Sequence, residues 1–212
     1  MTIAALMNAA RVMTGAGTLL CILLGAGCAS SPPPRFYTLV PLPEAQTRAA
    51  ALTAGVLAIG LGPVRFPGFL ERPQLVARVR DTELALDEFE RWGGRVEDDF
   101  VRVWSENLAH LLDNSQIFVF PSELRTPLAY RVVVEVLRFE TAADTAWLKA
   151  RWMVLDGATG TVLAVREDTY RQPVTAPGDA AARVAALSAT LAEFSRAVAD
   201  TLRQRERHPA SG

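Results

Sequence analysis

Apolar residues recur along this chain at two spacings, and the spacings divide it into helices and strands. Val96, Phe100, Val103, Asn107, Leu108, Leu111 and Leu112 repeat every three to four positions. That period predicts an amphipathic helix over about residues 94–113, with Asp98, Asp99, Arg102, Glu106 and His110 largely off the stripe. Trp92 and Trp104 fall at its ends or margins. A second stripe, Val184, Leu187, Leu191, Phe194, Val198 and Leu202, predicts a last helix that opens near Asp179 and carries one apolar face to Arg203. The charged, then small, residues beyond it should fray.

Between the helices the apolar residues alternate instead. In residues 145–155, Leu148, Ala150, Trp152 and Val154 make one wholly apolar side opposite Trp147, Lys149, Arg151, Met153 and Leu155. In 130–139, Val132, Val134, Val136 and Arg138 alternate with Val133, Glu135, Leu137 and Phe139. Residues 161–170 alternate likewise after the turn Asp156–Gly160. The three runs predict an antiparallel meander with one face on the core and the other partly wet. Shorter strands are expected at 35–40, 55–61, 75–79 and 117–120. Residues 83–89 mix signals, and the alternation of Leu84 and Leu86 reads as a strand in a hairpin with 75–79. Residues 44–54 suit a loop or a short surface helix. Residues 62–74 hold Gly62, Pro63, Pro67, Gly68 and Pro73 and read as a loop. Phe66, Phe69 and Leu70 in it either tuck back on the core or form an apolar partner surface. The expected fold is α/β: a mixed or mainly antiparallel sheet packed against two long amphipathic helices, in a single compact domain.

The start of the chain has a different pattern. Residues 12–27 carry no charge, include Leu19, Leu20, Ile22, Leu23 and Leu24, and follow Arg11; Ala26 and Gly27 precede Cys28. A basic start, an apolar middle and small residues before a cut site are the layout of an export signal. The stretch is shorter than the about 20 apolar residues that span a bilayer. A cysteine at the cut suggests lipidation, since several acyl chains anchor where one holds only marginally. Residues 1–27 are then a signal peptide, resembling the lipobox of bacterial lipoproteins except for Gly25 where that box prefers Leu. Cys28–Pro34 is a lipidated tether stiffened by three prolines. Residues 35–205 form the domain and 206–212 the tail. Ala29, in place of an aspartate that would favour inner-membrane retention in the enteric sorting rule, points to the outer membrane.

Composition narrows the chemistry. The chain of 212 residues is 50% hydrophobic and 21% charged with net charge −1, as expected of a folded protein and not of a nucleic-acid binder. Its two cysteines, Cys21 and Cys28, leave with the signal or carry lipid, so the domain has no thiol for a disulfide or for catalysis. Only His110 and His208 are present, with no HExxH and no Cys/His cluster for a metal. Gly55, Gly60 and Gly62 make no dinucleotide fingerprint, and there is no phosphate loop. Ser105 and Ser122 have no base partner in sequence. These observations predict no enzyme activity, no cofactor and no metal, and a domain that binds.

Four stretches carry a resemblance: Phe36-Tyr37-Thr38-Leu39; residues 64–79, with Leu70-Glu71-Arg72-Pro73-Gln74-Leu75-Val76-Ala77-Arg78; Phe89-Glu90-Arg91-Trp92; and the hairpin of 147–170. Through them the chain resembles the ABC-type transport auxiliary lipoprotein family, of the paraquat-inducible protein C type. The resemblance implies the outer-membrane end of an intermembrane phospholipid transport system. Its partners would be a periplasmic protein of mammalian-cell-entry domains and an inner-membrane permease, with outer-membrane lipid engaged through acylated Cys28. Homo-oligomers are known in the family, and this sequence leaves that open. The apolar loop and the family motif together single out Phe66, Phe69, Leu70, Arg72 and Arg78 for partner binding. Arg91 and Trp92 suit internal packing or an interface. Alternatives are a lipid-binding module with its own cavity, and a structural envelope lipoprotein.

Overall fold

A computed structural model describes residues 31–43, 56–120 and 126–208, and the compact unit that carries the fold begins at Pro34. Cys28 and the 44–54 segment lie outside the described residues. The elements, in chain order, are β1 (Arg35–Tyr37), β2 (Ile59–Arg65), β3 (Gln74–Arg80), β4 (Glu83–Trp92), α1 (Val96–Leu112), β5 (Ile117–Val119), β6 (Tyr130–Ala142), β7 (Thr145–Asp156), β8 (Val162–Pro173) and α2 (Ala180–Arg207).

β6 is the hub of one mixed sheet. Antiparallel β7 lies along one of its edges, with antiparallel β8 beyond. Its other edge is shared. β2 pairs parallel with the first half, from Ile59 opposite Tyr130 to Arg65 opposite Glu135, and β3 pairs parallel further on, at Ala77–Thr141 and Arg78–Ala142. β5 lies parallel outside β2. β4 lies antiparallel outside β3, and β1 parallel outside β4. The meander and the 75–89 hairpin are as their alternation predicts. The parallel pairs around them make the sheet mixed.

One face of the sheet carries the two helices. The apolar side of β7 (Leu148, Ala150, Trp152, Val154) and the stripes of both helices are buried there. Phe100, Trp104, Phe194 and Trp152 meet ring to ring, with centroids 5.4–6.5 Å apart. Each buried ring or aliphatic side chain of this kind stabilises the fold by roughly 1.5–3 kcal/mol. Trp104 is therefore central to the core and not marginal to its helix, because its position lies between Phe100 and Leu108 on the stripe. Asn107, which falls on that stripe, is fully buried, and both its polar atoms are bonded. Its Oδ1 accepts from the Leu42 amide at 2.7 Å and its Nδ2 donates to Ser195 Oγ at 3.2 Å, which pins residues 39–42 across both helices. The other face of the meander is wet, with Arg151 bridging Glu135 and Glu167 and Lys149 on Glu167.

Three boundaries differ from the sequence expectation. β2 continues through Gly62-Pro63 to Arg65 where a loop was expected. Gly62 takes φ +108°, which glycine alone adopts at no steric cost, and a register shift between Leu61 and Val64 absorbs the exposed proline. β6 runs on to Ala142, and a bulge between Val136 and Arg138 turns Phe139 to the core side, opposite to simple alternation. The last helix extends to Arg207, with the Arg203 guanidinium donating to the Leu111 carbonyl at the end of α1. As expected, Asp179 caps it: its carboxylate accepts from the Ala181 amide at 3.1 Å.

A candidate docking cleft where the sheet forks

Because β2 and β3 lie along the same edge of β6 and run the same way, they are two pieces of one line. The chain passes twelve residues between Arg65 and Ala77 while β6 advances six, from Glu135 to Thr141. The surplus loops out over residues 66–73. Pro67 starts a single 3₁₀ turn, Gly68–Leu70, closed by Leu70 N–H to Pro67 O at 2.9 Å and Glu71 N–H to Gly68 O at 3.2 Å. The far end of the excursion is tied down by Trp92 N–H to Pro73 O at 2.7 Å.

The excursion and the β4–α1 connection enclose an open cleft of about 560 Å³. Phe66, Leu70, Trp92 and Val96 give it an apolar floor, and Glu71, Arg72, Arg95 and Glu97 a charged rim. Phe66 joins the floor to the core: its ring stands edge-on to Phe100 at 5.2 Å and to Phe139 at 6.1 Å. Leu70 and Trp92 are buried. Gly93 and Gly94 leave one wall as bare backbone, and at Gly94 a Cβ would meet nothing within 4 Å. Arg95 is the N-cap of α1 in extended conformation and makes no capping bond with its side chain; its guanidinium pairs with Glu97 at 2.8 Å instead. Arg72 is exposed, and among the described residues it has no carboxylate partner.

Of the residues singled out in sequence, the cleft gathers Phe66, Leu70, Arg72 and Trp92. Phe69 is half-buried on the same turn and is not part of the lining. Arg91 donates through Nε to the Glu88 carbonyl at 2.9 Å. Arg78 is engaged elsewhere. Its Nε and Nη2 bond the two oxygens of Glu140, a fully buried carboxylate that Arg138 Nε also reaches at 2.8 Å. The bond to Glu140 holds the Arg78 pKa above its ordinary value. Arg138 in turn stacks on Trp147, 4.3 Å from the ring centroid. Sequence reasoning missed Glu71, Gly93, Gly94, Arg95 and Glu97. The Gly-Gly pair just ahead of a helix was the available signal, since it marks a backbone surface that side chains do not cover.

Beside the cleft, under Leu70, Trp92 and Phe139, the space between sheet and helices is about 10 Å³. That is at most the roughly 10–15 Å³ of such space that a single water needs, so this part of the interior has no room for an acyl chain. Among the described residues no helix is long and apolar enough to cross a membrane, and no group of three or more His, Cys, Asp and Glu is placed to hold a metal ion.

The fold has solved relatives. One crystal structure, of an uncharacterized protein, superposes with a TM-score of 0.65 at 14% identity, covering 81% of this chain and 99% of its own. Another, of a protein from Xanthomonas campestris, gives 0.65 at 16% identity, covering 82% and 98%. At such identities the likeness shows the fold alone. A comparison with curated protein sequences gives no match. Residues 37–199 match the family described as the ABC-type transport auxiliary lipoprotein component, and the chain belongs to that family.

Proposed function

We propose that this chain is the outer-membrane accessory subunit of an intermembrane phospholipid transport system, held by acyl chains on Cys28 and docked on a periplasmic mammalian-cell-entry-domain protein. The observation that carries the reading is the cleft at the sheet fork. It places an apolar floor and an uncommitted guanidinium at residues 66–73 and 92–97 of a domain from a transport-auxiliary family. A desolvated aromatic and aliphatic floor with arginines at its rim suits a protein partner that inserts an apolar side chain and meets Arg72 with a carboxylate.

The division of labour follows from the chain. Cys28 supplies attachment, residues 29–34 supply reach, and the cleft supplies recognition. The inner-membrane permease of the same system is the second expected partner.

The experiment is affinity capture from crosslinked membranes, with mass analysis of the Cys28 peptide in parallel. Recovery of a mammalian-cell-entry-domain protein with acylated Cys28 supports the reading. An acylated Cys28 with no such partner moves it to a standalone envelope lipoprotein, and an unmodified Cys28 removes the anchor. Within the same assay, Arg72→Glu should weaken capture about tenfold or more. Unchanged capture by the folded variant counts against the cleft as the docking surface.

A further inference from the structure

Among the described residues two aromatic side chains are exposed, Phe36 at 63% and Phe89 at 41%; every other phenylalanine, tyrosine and tryptophan is buried or half-buried. The two lie on neighbouring strands. β1 pairs parallel with the end of β4, with Arg35 opposite Glu90, Phe36 opposite Arg91 and Tyr37 opposite Trp92. Glu90 and Trp92 turn inward and are buried. Arg91 and Phe89 alternate with them and so turn to the face away from the helices, and Phe36 turns with its partner Arg91. Asp87 Oδ1 accepts from the Phe89 and Glu90 amides at 3.3 and 3.1 Å, which fixes the bend that presents Phe89. The other oxygen of Asp87 meets Arg183 on α2 at 3.1 Å, which leaves Leu86, also exposed, on the outer side with the two rings.

We propose that this corner of the sheet rests on a phospholipid bilayer, with the Phe36 and Phe89 rings set among the headgroups and upper acyl chains of the membrane that holds Cys28. The proposal rests on the reading of Cys28 as acylated and adds to it the face of the domain that meets the lipid. Chain length points to the occupant. β1 opens at Arg35, seven residues after Cys28, and seven residues reach at most about 25 Å. A domain of this size is about 40 Å across. The β1 corner therefore stays close to the bilayer, while the far edge at β8 can be carried away from it. Aromatic rings left in water at the point of attachment gain by entering the lipid. A protein partner would reach them only by entering the gap between domain and membrane. The charges around the rings are matched, Arg35 with Glu90 and Arg91 with Glu88, so the contact is apolar and needs no anionic lipid. Neither ring lines the cleft, and the docking and membrane surfaces are separate.

The test is fluorescence quenching of the full chain, purified from membranes and reconstituted into phosphatidylcholine vesicles with and without brominated acyl chains. Bromine quenches tryptophan that reaches the lipid, and Trp92, Trp104 and Trp152 of the wild type are buried. Phe36→Trp and Phe89→Trp should each lose emission in the brominated vesicles that the wild type keeps, and lose it equally at low and high salt. Val162→Trp, exposed on the far edge strand, should match the wild type. Circular dichroism melts of the variants establish that they fold. Vesicle flotation and the mass of the Cys28 peptide separate the anchor from the contact. A chain that floats with acylated Cys28 and shows no added quenching in either phenylalanine variant overturns the bilayer contact alone. A chain that does not float and whose Cys28 is unmodified overturns the anchor, and the contact with it. Quenching of Val162→Trp as strong as that of the other two variants means that no face is preferred, and it too overturns the proposal.

Discussion

Glu140 is the group whose loss should be felt most for its size. Its carboxylate is wholly buried, and two guanidiniums share it, Arg78 from β3 and Arg138 from its own strand; both are about one-quarter exposed, at 24% and 25%. Glu140→Gln keeps the shape, removes the charge and turns an amide donor toward a guanidinium donor. Breaking a buried pair from one side costs about 3–5 kcal/mol. The arginines can rehydrate in part, so the lower end applies, about 3 kcal/mol. For a domain of this size that corresponds to a melting shift of about 6–12 °C. Arg78→Met should cost less, about 1–2 kcal/mol, because Glu140 keeps Arg138 as a partner. The double variant should be milder than the sum of the two, since the second change removes a charge that the first had stranded. Urea unfolding followed by tryptophan fluorescence reads this directly, because Trp104 and Trp152 are both fully buried and redden on unfolding. A Glu140→Gln cost under about 1 kcal/mol, or an Arg78→Met cost larger than it, would refute the reasoning.

Two further predictions concern stability. Gly157 in the β7–β8 turn leaves no room for a side chain: a Cβ there would lie 2.1 Å from the Leu128 carbonyl oxygen, whereas at Gly178 it would meet nothing within 4 Å. Gly157→Ala should therefore destabilise by about 3 kcal/mol, the upper end of overpacking costs, and Gly178→Ala by under about 1 kcal/mol, which the same urea series compares. The bond from Arg35, then that from Tyr37, holds the Glu90 pKa below its ordinary 4.5. Its contribution to stability is thus fully present above pH 4.5 and lost as pH falls through the lowered folded value. The stability gap between wild type and Glu90→Gln should narrow as pH falls from 5 towards 3 in paired melts, and a gap that widens would contradict the assignment.

The helices and the meander were legible because each reports its own burial. Leu148, Ala150, Trp152 and Val154 declare a face by alternation, and Phe194 and Val198 declare a stripe. Neither signal names a neighbour. Nothing in Ile59–Arg65 states that it pairs parallel to Tyr130–Glu135, because that contact closes a loop of about seventy residues. The bulge at Val136–Arg138 is likewise a property of two strands in register, so alternation alone put Phe139 on the wrong side. Charges are local in the same way. Arg78, met in an arginine-bearing motif beside a proline-rich loop, suggests a surface for partners. Its carboxylate lies sixty-two positions away, beyond the reach of local pattern.

That same pair explains why the cleft holds its shape. β3 meets β6 through two ladder positions only, Ala77–Thr141 and Arg78–Ala142, which is little to hold a strand that arrives after a looped-out excursion. Arg78 reaching Glu140 adds a tie across the junction, at the second of those positions. On one side of it the chain is committed to the sheet. On the other, residues 66–73 are held by Phe66 against Phe100 and Phe139 and by the Trp92–Pro73 bond. The floor of the cleft is thus part of the core, while its rim is not. A change at Arg72 should alter binding and leave stability nearly untouched, whereas one at Arg78 should act through stability first. Measured side by side in the capture and urea assays, the two arginines of one motif should separate along that line. Loss of capture by a stably folded Arg78→Met that matches the loss in Arg72→Glu would mean the motif acts as a single surface, and the fork would no longer divide recognition from support.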